Sequence, residues 1–338
     1  MASIRRLLSM MVPVILCAFL QWTSAEAGAA GAKVKKVRLA YAGWEVGTAI
    51  AYVGIDAGIF KKYEVDVEEV FIRDALTGGV QSLIGVDFVL GFGSPIAILQ
   101  PVLEGADIVF VGSHVSVDKY GMAVASDIAT VKELKGKKIG VSVLGGRSDL
   151  VARVILRRAG LDPLKDVEIV AAGLAPNRMA ALSNALIQGA PLNLQMASEA
   201  KRLGLKVLDV KDVPMLTALL MTTRSFVKRD EEAVKRFIKG YVAAIHFYLS
   251  HRAESIAIIK KYFTATDPGT LETMYNAFAS QLRPIPGPNR EAVQAFIDAA
   301  SVADSRAKNI KPADLFEPRF LEELKGFIDN LYTEKVSL

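Results

Sequence analysis

The 338-residue chain predicts an α/β fold of two lobes, each a mostly parallel sheet flanked by helices, joined by two crossover segments around a cleft. Three observations carry this. Short strands rich in Val, Ile and Leu alternate with helical periods, the pattern of parallel sheets in α/β layers. One strand-loop-helix unit is written twice, so that Leu39 answers Ile139 and Val67 answers Ile169. Hydrophobic residues make up 51% of the chain, enough for large cores at a length that suits about two lobes.

Arg5 and Arg6 precede the apolar run Leu7 to Leu20 and the small residues around Ser24 to Ala27, the pattern of a secretory signal peptide over 1–27. The run is short for a membrane span. The expectation is an exported, periplasmic protein from which the signal is cleaved. Cys17 is the one cysteine and leaves with the signal, so neither a disulfide framework nor thiolate chemistry is available. Cleavage removes Arg5, Arg6 and Glu26 and lowers the formal charge from +5 to +4. Cations and carboxylates intersperse along the helices, and Lys33 to Lys36 form only a short basic tail. With no zinc spacing, aromatic RNA-binding motif or long basic helix, no nucleic-acid partner is expected.

The first copy runs from the strand Val37 to Tyr41 through Gly43-Trp44, a helix ending near Gly58, the strand Val65 to Val67, a second helix, and Gly85-Val86-Asp87-Phe88. The second runs from Lys138 to Val141 through Gly145-Gly146, a helix ending near Gly160, the strand Val167 to Val170, a helix Met179 to Ile187, and Leu192 to Leu194. Tyr120 to Ser126 and Leu219 to Thr223 read as the two crossings. Lobe I then comprises 37–123 and 222–338 with the C-terminal helices, and lobe II comprises 124–221. The tail is helical over Arg229 to Leu249, Arg252 to Tyr262, Gly269 to Leu282, Arg290 to Ala300 and Pro318 to Tyr332. Pro284, Pro286 and Pro288 interrupt it.

Ligands of such sheets gather at the carboxyl ends of the strands. Six loops lie there: Ala42 to Gly47, Arg73 to Thr77, Gly91 to Pro95, Gly112 to Val115, Leu144 to Ser148 and Ala172 to Asn177. In Gly91-Phe92-Gly93-Ser94-Pro95, Ser94 suits an N-cap and Pro95 a first helical position, which leaves backbone N–H groups facing the cleft. Ile96 occupies the third glycine position of a dinucleotide fingerprint, against a nicotinamide site. Leu144-Gly145-Gly146-Arg147-Ser148-Asp149 places flexible glycines, a hydroxyl and a cation at a helix start. A helix end carries about half a positive charge, so this combination favours an anion. No Gly-Lys-Ser/Thr follows, so it is not a P-loop. Asp149 in that first turn alternatively complements the helix dipole.

Trp44 offers a flat apolar wall with one N–H donor, or packs beneath the first helix. His114 ends a strand, as a ligand contact or a packing residue. Asn177 caps a helix beside Arg178. One of Arg73, Arg147 and Arg178 is expected to grip the anion. Ligand-binding candidates are therefore Trp44, Gly93, Ser94, His114, Gly145, Gly146, Arg147, Ser148 and Asn177. His246 and His251 lack a ligating cluster, so no metal or cofactor is expected. No Gly-x-Ser-x-Gly elbow or catalytic cysteine exists, and no catalytic residue is assigned.

Gly58-Ile59-Phe60-Lys61-Lys62, Val65-Asp66-Val67-Glu68, Gly85-Val86-Asp87-Phe88 and Leu134-Lys135-Gly136-Lys137-Lys138-Ile139-Gly140-Val141 resemble the substrate-binding proteins of nitrate, sulfonate and taurine ABC transporters, the SsuA/THI5-like or NMT1-like family. The resemblance spans about Val37 to Glu232 and implies a type II periplasmic binding protein fold. It implies a monomeric solute receptor, not an enzyme, whose lobes close on a small organic anion and deliver it to a membrane permease and its ATPase. Sulfonates are the first ligand class, with aromatic carboxylates and nitrogen heterocycles also open. Relatives commonly read Gly-x-x-Asp-Ala where this chain has Gly189-Ala190-Pro191-Leu192-Asn193-Leu194. The fungal pyrimidine-synthesising members carry a cysteine-rich iron motif, which a mature chain without cysteine cannot supply. The alternatives are an exported enzyme using cleft carboxylates on the same scaffold and a sensory receptor for a signalling protein.

Overall fold

The computed structural model describes residues 33–41, 46–72, 85–91, 95–262, 267–280, 282–287 and 289–333. The expected signal peptide, Trp44, Arg73, Gly93 and Ser94 lie outside the described residues. The unit that begins at Lys35 holds both sheets.

The first copy gives β1 (Lys35–Tyr41), α1 (Val46–Asp56), α2 (Ile59–Lys62), β2 (Val65–Phe71), β3 (Phe88–Gly91) and α3 (Pro95–Leu103). After it come the long β4 (Ile108–Asp118) and β5 (Tyr120–Val124). The second copy gives β6 (Lys138–Val141), α4 (Arg147–Arg158), β7 (Glu168–Ala171), α5 (Ala175–Ser183), β8 (Gly189–Asn193), α6 (Leu194–Arg202) and β9 (Lys206–Asp209). β10 (Val213–Thr223) returns, and α7 (Arg224–Arg229), α8 (Glu231–Ser250), α9 (Arg252–Tyr262), α10 (Pro268–Ala279), α11 (Arg290–Ala303), α12 (Pro312–Leu315), α13 (Arg319–Glu323) and α14 (Lys325–Thr333) complete the chain.

Two five-stranded sheets result, in the orders β2-β1-β3-β10-β4 and β7-β6-β8-β5-β9. The two orders are the same pattern. In each, the first strand of a copy pairs in parallel with its second and third strands, and an antiparallel strand is laid beside the third. The register differs by two residues between the copies: Leu39 sits opposite Glu69, two beyond Val67, whereas Ile139 sits opposite Ile169. β5 starts at Tyr120, ahead of the expected residue 124. The return crossing precedes Val213, because β10 pairs antiparallel with β4 from Val213↔Asp118 to Thr223↔Ile108 and so belongs to the first sheet along its whole length.

Each sheet is covered on both faces, as buried parallel strands require. One face of the first sheet meets α1, α2, α8, α9, α10 and the C-terminal helices through Leu39, Phe60, Phe88, Phe237 and Tyr241. The other meets α3 and α11 through Leu99, Phe110 and Phe296. The second sheet packs α4 on one face and α5 with α6 on the other.

Local chemistry sets the helix ends. Asp230 caps α8 by accepting from the Ala233 N–H at 3.1 Å and also pairs with Lys35 at 2.8 Å, so the single helix expected from Arg229 begins instead at Glu231 behind the short α7. α5 starts at Ala175, not Met179, because Pro176 is accommodated in a first turn. The tail helix expected over 318–332 divides at Leu324 into α13 and α14.

His114, read as a ligand contact or a packing residue, takes part in a buried tie. It is enclosed between β4 and α8, with Nε2 2.7 Å from the Tyr241 hydroxyl, which donates to the Gly47 carbonyl at 3.0 Å. The tyrosine spends its proton on Gly47, so the imidazole is the donor in this pair. Burial pulls its pKa down to about 4.

Two predictions follow from this packing. The His114 pKa is depressed below its unfolded value of about 6.5, so unfolding takes up a proton in acid. Stability is expected to fall by about 3 kcal/mol as pH drops from about 6.5 to about 4, read as urea midpoints; His114→Gln should lack that part of the slope. Phe60 occupies a slot walled by Gly54 of α1 and Gly240 of α8, where added Cβ atoms would stand 2.5 and 2.7 Å from its ring. Gly54→Val and Gly240→Val should each cost about 1–3 kcal/mol through overpacking, measured in the same titrations.

Candidate functional site

The carboxyl ends of β6, β7 and β8 lie along one edge of the second sheet; the chain leaves β6 and β7 through loops that start helices and passes from β8 directly into α6. Tyr120 of β5 joins that edge opposite Asn193 of β8. Facing it, the first sheet contributes the start of α3. A Cβ built on Gly145 would lie 3.5 Å from Pro95 Cδ, so the glycine loop ahead of α4 stands against the first residue of α3.

The loop ahead of α4 is held mainly by its own residues. Gly145 adopts a left-handed conformation with φ 74° and donates its N–H to Asp149 Oδ2 at 2.7 Å. Gly146 is the N-cap and has no side chain to offer, so the cap is supplied from inside the helix. Ser148 turns back: its Oγ accepts from the Ser142 N–H at 2.7 Å and lies 2.8 Å from the Ser142 hydroxyl. Asp149 is fully buried and pairs with Arg153, which is 1% exposed, with Nε 2.9 Å from Oδ1. Arg147 reaches across to β4 and forms a two-point pair with Asp118, Nε to Oδ2 and the second nitrogen to Oδ1, both 2.7 Å. The expected anion grip of Arg147 and Ser148 is therefore engaged within the protein.

Asn177 is exposed in the first turn of α5 and is not its cap; Leu174 holds that position. Its neighbour Arg178 differs from Arg147, the other candidate arginine among the described residues. It is 6% exposed, donates to the Pro191 carbonyl at 2.8 Å, and its Nε finds no acceptor among the described residues. Burial lowers the guanidinium from its ordinary value, with Tyr120 opposing the shift, and leaves a cation at neutral pH. Burial first, and then Asp118, raise the Tyr120 phenol, with Arg147 and Arg178 opposing. Asp118, Arg147, Tyr120 and Arg178 thus form a polar group at this edge.

Apolar side chains stand after the strands of the same edge. Val143 and Leu144 follow β6, Leu174 follows β7 and Leu194 follows β8; all are exposed, Leu174 by 74%. Four such residues at one strand edge form a surface suited to an apolar ligand body. Tyr120, Leu174 and Leu194 were not among the sequence candidates. Leu174 did carry a signal, since a leucine at an N-cap forgoes the bond that Ser, Thr, Asn or Asp makes there. Asn193, where relatives commonly have Asp, caps α6 by accepting from the Met196 N–H at 2.9 Å, a task both residues perform. Among the described residues, no group of three His, Cys, Asp or Glu side chains is arranged to hold a metal, and no helix is long and apolar enough to cross a membrane.

The family described as NMT1/THI5 like matches residues 45–255, more than half of the chain. The binding protein YtlA of Bacillus subtilis (strain 168) is 24% identical over 280 residues, covering 75% of this chain and 78% of that protein. The periplasmic aliphatic sulphonate binding protein SsuA from Escherichia coli superposes with a TM-score of 0.53 at 20% identity, covering 84% of this chain and 92% of that one. The periplasmic sulfonate-binding protein SsuA from Methylobacillus flagellatus KT gives 0.53 at 19% identity, covering 87% and 95%. At these identities the structural likeness is one of fold, and with the family match it leads to one conclusion: the chain belongs to the NMT1/THI5-like family and has the periplasmic binding protein fold.

Proposed function

We propose that the protein is a solute receptor of an ABC importer that binds a small organic anion with an apolar body. The observation that carries this is Arg178: a buried cation whose Nε finds no partner among the described residues, at the strand edge that also carries exposed Leu144, Leu174 and Leu194. An oxyanion reaching Nε would complete a charge-assisted hydrogen bond, roughly twice as strong as a neutral one. The leucines would cover the remainder of the ligand, at about 25 cal/mol for each Å² of apolar surface removed from water.

A sulfonate head is the leading choice. It stays ionised throughout the range in which the protein folds, and the two SsuA proteins that share the fold are sulfonate receptors by name. Aromatic carboxylates meet the same requirements. The approach of Gly145 to Pro95 supports closure of one sheet's loops on the other's, so that a ligand between them stabilises the closed form. A permease and its ATPase would receive the ligand, on the periplasmic side if residues 1–27 direct export.

Isothermal titration with 1-octanesulfonate, benzenesulfonate and benzoate tests the reading, with mass spectrometry of each recovered compound. Saturable binding of an unchanged sulfonate is expected, and Arg178→Met should weaken it roughly ten- to a hundred-fold, the effect of losing a hydrogen bond to a charged group. Arg147→Met, whose charge is already matched by Asp118, should have the smaller effect. Chemical conversion of a bound compound would replace the receptor reading with an enzymatic one.

A further inference from the structure

α4 touches elements of the first sheet at both of its ends. At its amino end Gly145 stands against Pro95; at its carboxyl end two consecutive arginines grip α11. Arg157 forms a two-point pair with Asp298, at 2.6 and 2.8 Å, and Arg158 forms another with Glu291, at 3.0 and 2.7 Å. Arg158 also donates to the Asp212 carbonyl at 2.8 Å, on the segment where the chain returns to the first sheet. Asp298 is buried and is further held by Gln294 at 3.0 Å.

α11 is itself shared between the two cores. Val293, Phe296, Ile297 and Ala300 pack with the first sheet, while Ala295 and Ala299 pack with Leu150, Val151 and Ile155 of α4. Ala295 lies between the two carboxylates along the helix and Ala299 one residue beyond Asp298, both in the core shared with α4. Small side chains there let α4 approach closely while the arginines hold the same helix at Glu291 and Asp298. Twelve residues at 1.5 Å each make α4 a rod of about 18 Å. A rigid rod fixed at its far end transmits any rotation there to the loop that carries Gly145 and Arg147.

We propose that the α4–α11 contact is the pivot between the two sheets, and that Arg157 and Arg158 are positioning residues that set ligand affinity from the side away from the ligand. The effect on affinity rests on the receptor reading; the effect on the distance between the sheets does not. Paired guanidiniums and carboxylates fix the angle of α4, so the cleft loops meet without first paying the entropy of finding each other. Without the pairs, the apolar contact persists but the angle is free.

The experiment uses the full chain carrying Cys17→Ser, Lys62→Cys and Lys137→Cys, with spin labels on the two new cysteines, one in each sheet's layer. In Arg157→Gln/Arg158→Gln, the distance distribution is expected to broaden, far-UV circular dichroism to stay unchanged, and affinity for 1-octanesulfonate to fall about tenfold. The swap Arg158→Glu/Glu291→Arg should restore a narrow distribution, and it carries the test should the double variant unfold. An unchanged distribution in the double variant, or a broad one in the swap, overturns the pivot. A narrow distribution lost together with a rise in affinity overturns its role in binding. Failure of the unaltered pivot to bind any sulfonate would count against the receptor reading and leave the distance measurement as the test of the pivot.

Discussion

The buried pair of Asp149 and Arg153 is the interaction on which the cleft side of the second sheet rests. Both side chains are withdrawn from water inside α4, and desolvation costs several kcal/mol per ion before their attraction offsets it. Apolar residues of the same volume would serve stability as well or better, because Leu150, Val151 and Val154 already provide a hydrophobic setting. What the pair adds is geometry. Asp149, held in place by Arg153, accepts from the Gly145 N–H and so fixes a left-handed turn that only glycine adopts cheaply. With the turn fixed, Ser148 folds back on Ser142, and Arg147 is left pointing at Asp118.

The same economy governs the architecture. Each sheet is built from one βαβ-type copy plus a strand from a crossing segment laid antiparallel beside the copy's third strand. The parallel strands leave their carboxyl ends on one edge, and every helix start and loop that can meet a ligand is delivered there by topology alone. The two copies differ in what they place at that edge. Among the described residues, the second supplies a buried cation with leucines and the first supplies the proline start of α3.

The repeat was legible because parallel βαβ units leave strong local marks: short Val- and Ile-rich strands and glycines after helices. The helix starts at Arg147 and near Arg178 were legible too. Their partners were not. Asp118 lies 29 residues from Arg147 on a strand of the other sheet, and no local pattern in the sequence couples the two. His114 read as a strand-end polar residue, yet its partner Tyr241 is 127 residues away on α8. Helix boundaries moved where a cap competed with a hydrophobic period, as at Asp230, or where a proline was absorbed into a first turn, as at Pro176. Leu194 escaped notice because an exposed leucine carries no marker of its own, and the N-cap position that marks Leu174 shows only once the start of α5 is fixed at Ala175.

Charge matching is what separates Arg178 from the other arginines near the cleft. α4 alone carries four arginines, and each has a carboxylate: Asp118 for Arg147, Asp149 for Arg153, Asp298 for Arg157 and Glu291 for Arg158. Those carboxylates come from β4, α4 itself and α11, so the chain readily brings an acid to a guanidinium wherever a fixed contact serves it. Arg178 is more deeply buried than Arg147, Arg157 or Arg158 and so stands in greater need of one. It receives the Pro191 carbonyl and a neighbouring tyrosine, both neutral at physiological pH. A buried cation left with neutral partners among the described residues is costly to the fold, and on the proposed reading an anion arriving from outside would recover that cost.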